Sequence, residues 1–409
     1  MKLNNFKIIW ILLFIVSNNA SAQRLPEADF LKGLSMYERG LRDSSLLYLK
    51  KSLEKDDDNP DIHFYMGKVY FEMNNISESI IQLQIVEKKQ KAKASFLLSK
   101  AYARQGDTEK SIQYLDIHLK SKYKLPESKI FLDTDLQKLE QDKRWIEYWK
   151  SNHSYSAMDK TLAEAKYLVK SKDDIEAINI LSEGLKKGYS KPPLLALRAE
   201  IYFELENMNL ALDDINKAIK ADKRNPDLYA LRGEIYMQEE KYKSALEDFN
   251  IVLKFSPEKF NTYPRRAIAA QKSGFMDIAK NDMNFFLGYF PEDDNGWYQF
   301  GEIYKLEGLY FDALKCLNIC LSLNNTMAEY FLSRGETYFY TRTYKYAGND
   351  LSMALDLDPY NAKAYYYKGQ TSLKLGDKDN ACFCFEKAYE YGMKKAYNEM
   401  IKICPLNNN

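Results

Sequence analysis

Small residues recur every 34 positions through most of this chain, at Ala165, Ala199, Gly233, Ala267, Gly301, Gly335 and Gly369. Twelve positions beyond each stands a second small residue: Ala177, Ala211, Ala245, Ala279, Ala313, Ala347 and Ala381. A period that does not drift constrains the fold more than any local propensity, because each unit has to bury its apolar face against its neighbours. Within a unit the apolar positions fall three and four apart, which makes one helical stripe, so each unit reads as two helices with facing stripes. Helix axes packed roughly 8–10 Å apart leave no room for large side chains at the crossing. The Gly or Ala of the first helix and the Ala of the second are therefore the expected points of closest approach. Asn225-Pro226-Asp227 starts a unit with a capping side chain, a proline whose missing N–H costs nothing in the first turn, and an acid at the positive end of the dipole. Asn59-Pro60-Asp61 repeats it.

With only 17 Gly and 11 Pro but 32 Tyr in 409 residues, the composition suits helices joined by short turns. The pattern resembles the tetratricopeptide repeat family, most closely from Pro226 to Lys259, where Tyr229, Arg232, Gly233, Tyr236, Ala245, Phe249 and Pro257 stand at the family's aromatic, small and proline positions. Seven units start near 158, 192, 226, 260, 294, 328 and 362, and three more near 26, 60 and 92, marked by Gly33, Gly67 and Ser99. By the 34-residue period the resemblance covers about eighty per cent of the chain beyond its first segment. Some units depart from it: the usually small 27th position is Phe286, Cys320 and His118 in three of them. The resemblance implies an all-α fold, a right-handed α-solenoid of helix hairpins whose first helices line a concave groove, with proteins or peptides as partners. The expected organisation is an N-terminal array of three repeats (23–122), a helical joint (123–157), an array of seven repeats (158–391), and a capping helix and tail (392–409). In the joint the period fails, and the amphipathic stretch with Trp145 and Trp149 argues for short packed helices. The capping helix, from Ala396 to Cys404, would shield the open face of the last unit, and Asn407 to Asn409 reads as a disordered tail.

Residues 1–22 are a separate element. Lys2 and Lys7 precede the apolar run Ile8 to Val16, and Ala20-Ser21-Ala22 supplies the small residues that a signal peptidase reads. Cleavage would leave Gln23 first and send the product out of the cytoplasm, to a bacterial periplasm in the simplest case, with secretion as the alternative. The run is far shorter than the roughly 20 residues needed to span a bilayer, so no membrane insertion of the mature chain is expected. A formal net charge of +1 lacks the excess of Lys and Arg that grips nucleic acid.

The repeats can be compared with one another. One position before the small residue stand Arg198, Arg232, Arg266, Phe300, Arg334 and Lys368; fifteen beyond it stand Asp214, Asp248, Asp282, Cys316, Asp350 and Cys384. Arg and Asp come and go together, which favours a structural ion pair over a row of ligand-binding arginines, since losing one partner strands the other charge. One position after the small residue the column reads Glu200, Glu234, Ile268, Glu302, Glu336 and Gln370. In the family's geometry it looks into the groove, with Phe203, Tyr298, Phe339, Tyr340, Tyr366 and Tyr367 nearby. An acidic groove with aromatic shelves suits a segment carrying Lys or Arg; the alternative is that these Glu solvate an exposed helix face. The family's carboxylate-clamp set of Lys, Asn and Arg is missing from this array, so an acidic C-terminal tail is not its expected ligand. In the first array, Phe30, Phe64 and Phe96 stand beside Lys68, Lys100 and Arg104. They imply a more acidic partner, or phenylalanines packed between units.

Nothing in the sequence points to an enzyme, a cofactor or a metal. His63, His118 and His153 lack a nucleophile-and-base arrangement, and the glycines are packing residues at the repeat period. Cys404 could return near Cys382 or Cys384 and form a disulfide, with free buried thiols as the alternative. The expected function is a protein-interaction scaffold or assembly adaptor of the cell envelope. A chaperone-like holder of exported clients and an accessory subunit of an envelope enzyme or transport system are the alternatives.

Overall fold

The computed structural model describes residues 28–151, 155–189 and 191–404, and among them all regular structure is helical. The leader expected at 1–22, His153 and the tail from Asn407 lie outside the described residues. Three hairpins come first: α1 (Ala28–Glu38) with α2 (Arg42–Leu53), α3 (Pro60–Glu72) with α4 (Ile76–Lys89), and α5 (Ser95–Gln105) with α6 (Thr108–Leu119). The joint holds α7 (Glu127–Phe131), a 3-10 turn (Gln137–Leu139) and α8 (Lys143–Ser151). Hairpins 4 to 6 are α9 (Ala157–Lys170) with α10 (Asp174–Lys186), α11 (Lys191–Glu204) with α12 (Met208–Ala221), and α13 (Pro226–Gln238) with α14 (Tyr242–Phe255). Hairpins 7 and 8 are α15 (Thr262–Lys272) with α16 (Met276–Tyr289) and α17 (Asp294–Leu306) with α18 (Tyr310–Leu323). Hairpins 9 and 10 are α19 (Ala328–Tyr340) with α20 (Tyr344–Leu357) and α21 (Ala362–Leu375) with α22 (Lys378–Glu390), and α23 (Ala396–Ile403) closes the end. The chain is thus an α-solenoid of helical hairpins. Asn59 and Asn225 cap α3 and α13 by accepting from the backbone N–H groups of Asp61 and Asp227, each with proline in the first turn.

The small residues work differently from the expected mutual contact. Each glycine at the repeating small position of the first helix faces a large side chain sixteen positions on. A Cβ at Gly233 would lie 2.7 Å from Phe249, one at Gly335 2.9 Å from Leu351, and one at Gly369 2.9 Å from Phe385. The glycine is therefore a hole for a knob on the second helix, and both phenylalanines in that knob column, Phe249 and Phe385, face glycine. The second small residue is still where the backbones come close, with the Ala347 carbonyl 3.4 Å from the same Gly335 position. In the first array that second position is serine instead. Ser45, Ser79 and Ser111 are buried and donate across the hairpin to the carbonyls of Gly33, Gly67 and Ser99 at 2.8, 2.8 and 2.9 Å. A buried hydroxyl needs such a partner.

Every hairpin also turns on one left-handed residue, seven positions after the small one. Gly40, Gly106, Gly274, Gly308 and Gly376 occupy it in five hairpins, and Asn74, Lys172, Glu206, Glu240 and Arg342 in the others. The side chain costs roughly 1–2 kcal/mol there, so packing of the two helices, rather than turn chemistry, enforces the hairpin.

First helices of successive hairpins touch one another, as α9 with α11, α11 with α13, α15 with α17, α17 with α19, and α19 with α21, whereas second helices do not approach to the same degree. The first helices therefore form the inner wall. The curvature brings the chain back on itself. Leu31 and Leu34 of α1 are buried in the same apolar cluster as Phe249, Phe260, Met283, Phe286 and Leu287 of hairpins 6 and 7. Lys32 Nζ donates to the Gly288 carbonyl (3.2 Å), Arg39 Nη1 donates to that of Tyr289 (3.4 Å), and Arg39 pairs with Glu292. Hairpin 1 thus docks on hairpin 7, closing seven hairpins into a ring from which hairpins 8 to 10 extend.

The joint is a packed element. Ile130, Leu136, Leu139 and Trp145 share a core with Ala103, Leu115 and Leu119 of hairpin 3. Buried His118 accepts from the Leu125 N–H at 3.0 Å through Nε2, and burial lowers its pKa to about 4. At the far end Cys382 and Cys404 form a disulfide with their Cα atoms 5.3 Å apart, which ties α23 to α22. Cys384, Cys316 and Cys320 are buried free thiols.

Two outcomes follow. Gly233→Ala drives a methyl into Phe249 and lowers stability by about 1–3 kcal/mol, read as an earlier denaturation midpoint; adding Phe249→Leu recovers part of the loss. Because the folded pKa of His118 lies below its unfolded value of about 6.5, its contribution is full above that pH and is lost as pH falls toward about 4. Acid titration of the joint's tryptophan fluorescence should show this step, and His118→Gln should flatten it.

Candidate partner-binding surface

The inner wall of hairpins 8 to 10 carries most of the residues singled out as groove candidates, and their charges are answered within the chain. Lys305 Nζ of α17 stands 2.6 Å from Glu302 on the same helix, and 2.9 Å from Glu336 and 3.0 Å from Ser333 on α19. Lys363 of α21 reaches the other Glu336 oxygen at 2.5 Å. Burial works against the Lys305 ammonium, but Glu302 and Glu336 outweigh it and hold its pKa above the usual lysine value. Glu336 itself is only 2% exposed. Two hairpins before Glu302, Glu234 is engaged by Arg265.

This corrects the acidic groove. Glu234 and Glu336 are paired with cations of neighbouring first helices and Glu302 with Lys305 of its own helix, because a carboxylate taken out of water is stable beside a cation. Glu200 is exposed at the surface. Gln370 donates to the Tyr366 hydroxyl at 3.3 Å. Phe203 packs on the core of hairpins 5 and 6, and Tyr298 lies against Tyr330 with ring centres 4.9 Å apart, so both serve packing.

What stays open to solvent is an aromatic shelf at the end of the wall. The Tyr340 and Tyr367 hydroxyls meet at 2.9 Å, Tyr310 stacks on Tyr340 at 5.2 Å, and Phe339 stands edge-on to Tyr367 at 5.8 Å. Lys395 lies 4.1 Å above the Tyr366 ring. Burial, with Tyr340 and Glu336 beside it, pushes the Tyr367 phenol far above its usual range, so it remains a donor. Tyr340 keeps 45% of its surface exposed.

Two of the first array's three basic groove candidates are also met from within. Lys100 pairs with Asp133 at 2.8 Å, and Arg104 grips Asp135 through two nitrogens at 2.6 and 3.1 Å, so the joint supplies the acids that were assigned to a partner. Phe30 packs against Tyr65 of the next hairpin, whereas Phe64 and Phe96 meet Tyr65 and His118 within their own hairpins.

The Arg and Asp columns meet in space. Arg198, Arg232, Arg266 and Arg334 each bind both oxygens of Asp214, Asp248, Asp282 and Asp350, at 2.6 to 2.9 Å. A third nitrogen donates to the preceding hairpin, at Ser182, Asn216, Asn250 and Asn318, a tie that the Arg–Asp covariation alone did not reveal. Burial pushes the Asp248 and Asp282 carboxyls up, against the pull of Arg232 and Arg266. Where Arg is replaced by Phe300, the Asp is replaced by Cys316, and both are buried in the apolar core.

A tetratricopeptide repeat model matches residues 192–225, 226–259 and 362–391, and a second tetratricopeptide repeat model matches 64–122. No curated protein matches the chain. Among solved structures, a tetratricopeptide repeat protein from Parabacteroides merdae is 20% identical, covering 60% of this chain and 97% of its own, with a TM-score of 0.49. The C-terminal part of a TPR repeat-containing protein from Cytophaga hutchinsonii is also 20% identical, over 58% of this chain and 98% of its own, with a TM-score of 0.47. YrrB, described as a TPR protein with an unusual peptide-binding site, is 21% identical over 46% of this chain and 97% of its own, with a TM-score of 0.41.

Removing one partner of a buried pair strands the other. Arg232→Ala or Asp248→Ala alone should cost about 3–5 kcal/mol, measured by chemical denaturation. The double change Arg232→Phe with Asp248→Cys, copying the chain's own solution at 300 and 316, should cost far less than the sum.

Proposed function

Because the chain is a tetratricopeptide-repeat protein, we propose that it is a non-enzymatic interaction scaffold of the cell envelope that holds a protein segment on the shelf formed by Phe339, Tyr340, Tyr366 and Tyr367. The observation that carries this reading is the exposed Tyr340, hydroxyl-paired with half-buried Tyr367, on an inner wall whose Glu302 and Glu336 are matched within the chain. Amphipathic rings of this kind give large contact area with little entropy to lose, and they bind apolar or aromatic anchors. A wall whose carboxylates are already paired selects by shape and apolar fit, so the partner need not be basic. The envelope assignment rests on the basic, apolar and small-residue order of residues 1–22, and the Cys382–Cys404 disulfide fits an oxidising compartment.

A photo-crosslinking residue placed at 340 in the native host should yield a discrete adduct that disappears with Tyr367→Ala and persists with Glu200→Lys. No adduct, or one indifferent to residue 367, contradicts the shelf. Intact mass of the chain purified from the envelope should begin at Gln23.

A further inference from the structure

Where hairpins 1 and 2 meet hairpins 6 and 7, the closure leaves a cavity of about 490 Å³, inside the roughly 300–1,000 Å³ range that takes small ligands. Tyr37, Tyr65 and Lys68 line it from the N-terminal side; Glu258, Phe260 and Arg265 line it from the other. The Lys68 ammonium lies 4.7, 5.1 and 5.8 Å from the ring centres of Tyr37, Tyr65 and Phe64. Among the described residues it forms no ion pair, and the Tyr65 hydroxyl has no hydrogen-bond partner. Burial lowers the pKa of Lys68 and raises that of Tyr65 to about 12, so the phenol stays a donor. Both residues are only partly buried, so their polar atoms face the water of the cavity and can exchange it for an acceptor on a ligand.

The chain shows what fills this position elsewhere. Lys100 occupies the same column one hairpin on, and it is met by the carboxylates of Asp133 and Asp135. No such loop reaches Lys68. On the opposite wall Arg265 uses one nitrogen for Glu234, and its exposed guanidinium has further donors. Glu38 and Glu258 also line the cavity, so a run of acids fits poorly, whereas one carboxylate beside one cationic group fits both signs. Leu34 and Phe260 add an apolar wall for a side chain.

We propose that this junction cavity binds a free short peptide, its carboxylate on Lys68 and Tyr65, its ammonium toward Glu38 and Glu258, and an apolar side chain against Phe260. The site is separate from the shelf of hairpins 8 to 10 and does not depend on it. Isothermal titration of the full chain with alanyl-phenylalanine, its C-terminal amide, and N-acetyl-glutamyl-phenylalanine amide tests it. The free dipeptide should bind saturably, and amidation should weaken binding at least about tenfold, the effect of losing one charge-assisted hydrogen bond. The glutamyl probe, which has a carboxylate but no ammonium, should bind more weakly than the free dipeptide; equal binding overturns the contact of the ammonium with Glu38 and Glu258. Lys68→Met with unchanged helicity should bind acid and amide alike, and the exposed Arg265→Gln should narrow the difference if Lys68→Met does not fold. The proposal is overturned if no probe binds saturably, if acid and amide bind the unaltered chain equally, or if a folded Lys68→Met keeps the preference.

Discussion

One contact closes every hairpin: a glycine, alanine or serine of the first helix receives a large side chain sixteen positions later on the second. Because the first helix has no bulk there, the two axes come close and the knob is wholly buried, as Leu49, Phe249 and Phe385 are. Everything else in the fold tolerates variation around it. The turn residue is glycine in only half of the hairpins, and the second small position is alanine in one array and serine in the other. The Arg–Asp pair is absent from three of the second array's seven hairpins, where Glu164 and Ile180, Phe300 and Cys316, and Lys368 and Cys384 stand instead. A solenoid built this way is a sum of nearly independent hairpins and their interfaces, and in four hairpins of the second array the tie from Arg to the preceding hairpin adds to the helix packing that couples neighbours.

Repetition of that contact sets a curvature, and the curvature accounts for which surfaces remain available. Seven hairpins turn far enough for α1 to dock on hairpin 7, so part of the inner wall becomes an intramolecular interface and not a groove. In the remaining hairpins the inner wall is crossed by a ladder of Glu302, Lys305, Glu336 and Lys363 that consumes its own charge. Tyrosines at the end of that wall, and one unmatched lysine inside the ring, are what the fold leaves over.

The helices, their pairing and the Arg–Asp contacts were legible in the sequence because a period of 34 carries its own internal alignment. The partners of charged residues were less so. Glu336 reads as a groove residue by position alone, and only the neighbouring hairpin's Lys305 and Lys363 reveal it as an internal charge. Lys100 and Arg104 are matched by a non-repeating segment, about which periodicity is silent. Ring closure is a sum of small rotations between hairpins, invisible in any one of them. Its one trace is the aromatic excess of α16, where Phe285, Phe286, Tyr289 and Phe290 include the departure from the usual small residue at 286. The serine column of the first array was visible as well, as a substitution at the alanine position, but its hydrogen bonds to the facing carbonyls needed coordinates.

The docking of α1 on hairpin 7 is the claim on which the ring, the junction cavity and the isolation of the last three hairpins all stand. It is tested most directly by placing cysteines at Arg39 and Glu292, whose side chains meet across the closure, and treating the monomeric chain with a short bismaleimide. Near-complete intramolecular crosslinking, suppressed when Leu31 and Leu34 are both changed to Asp, is the predicted result. Independent single modification of the two cysteines in the folded monomer would contradict it.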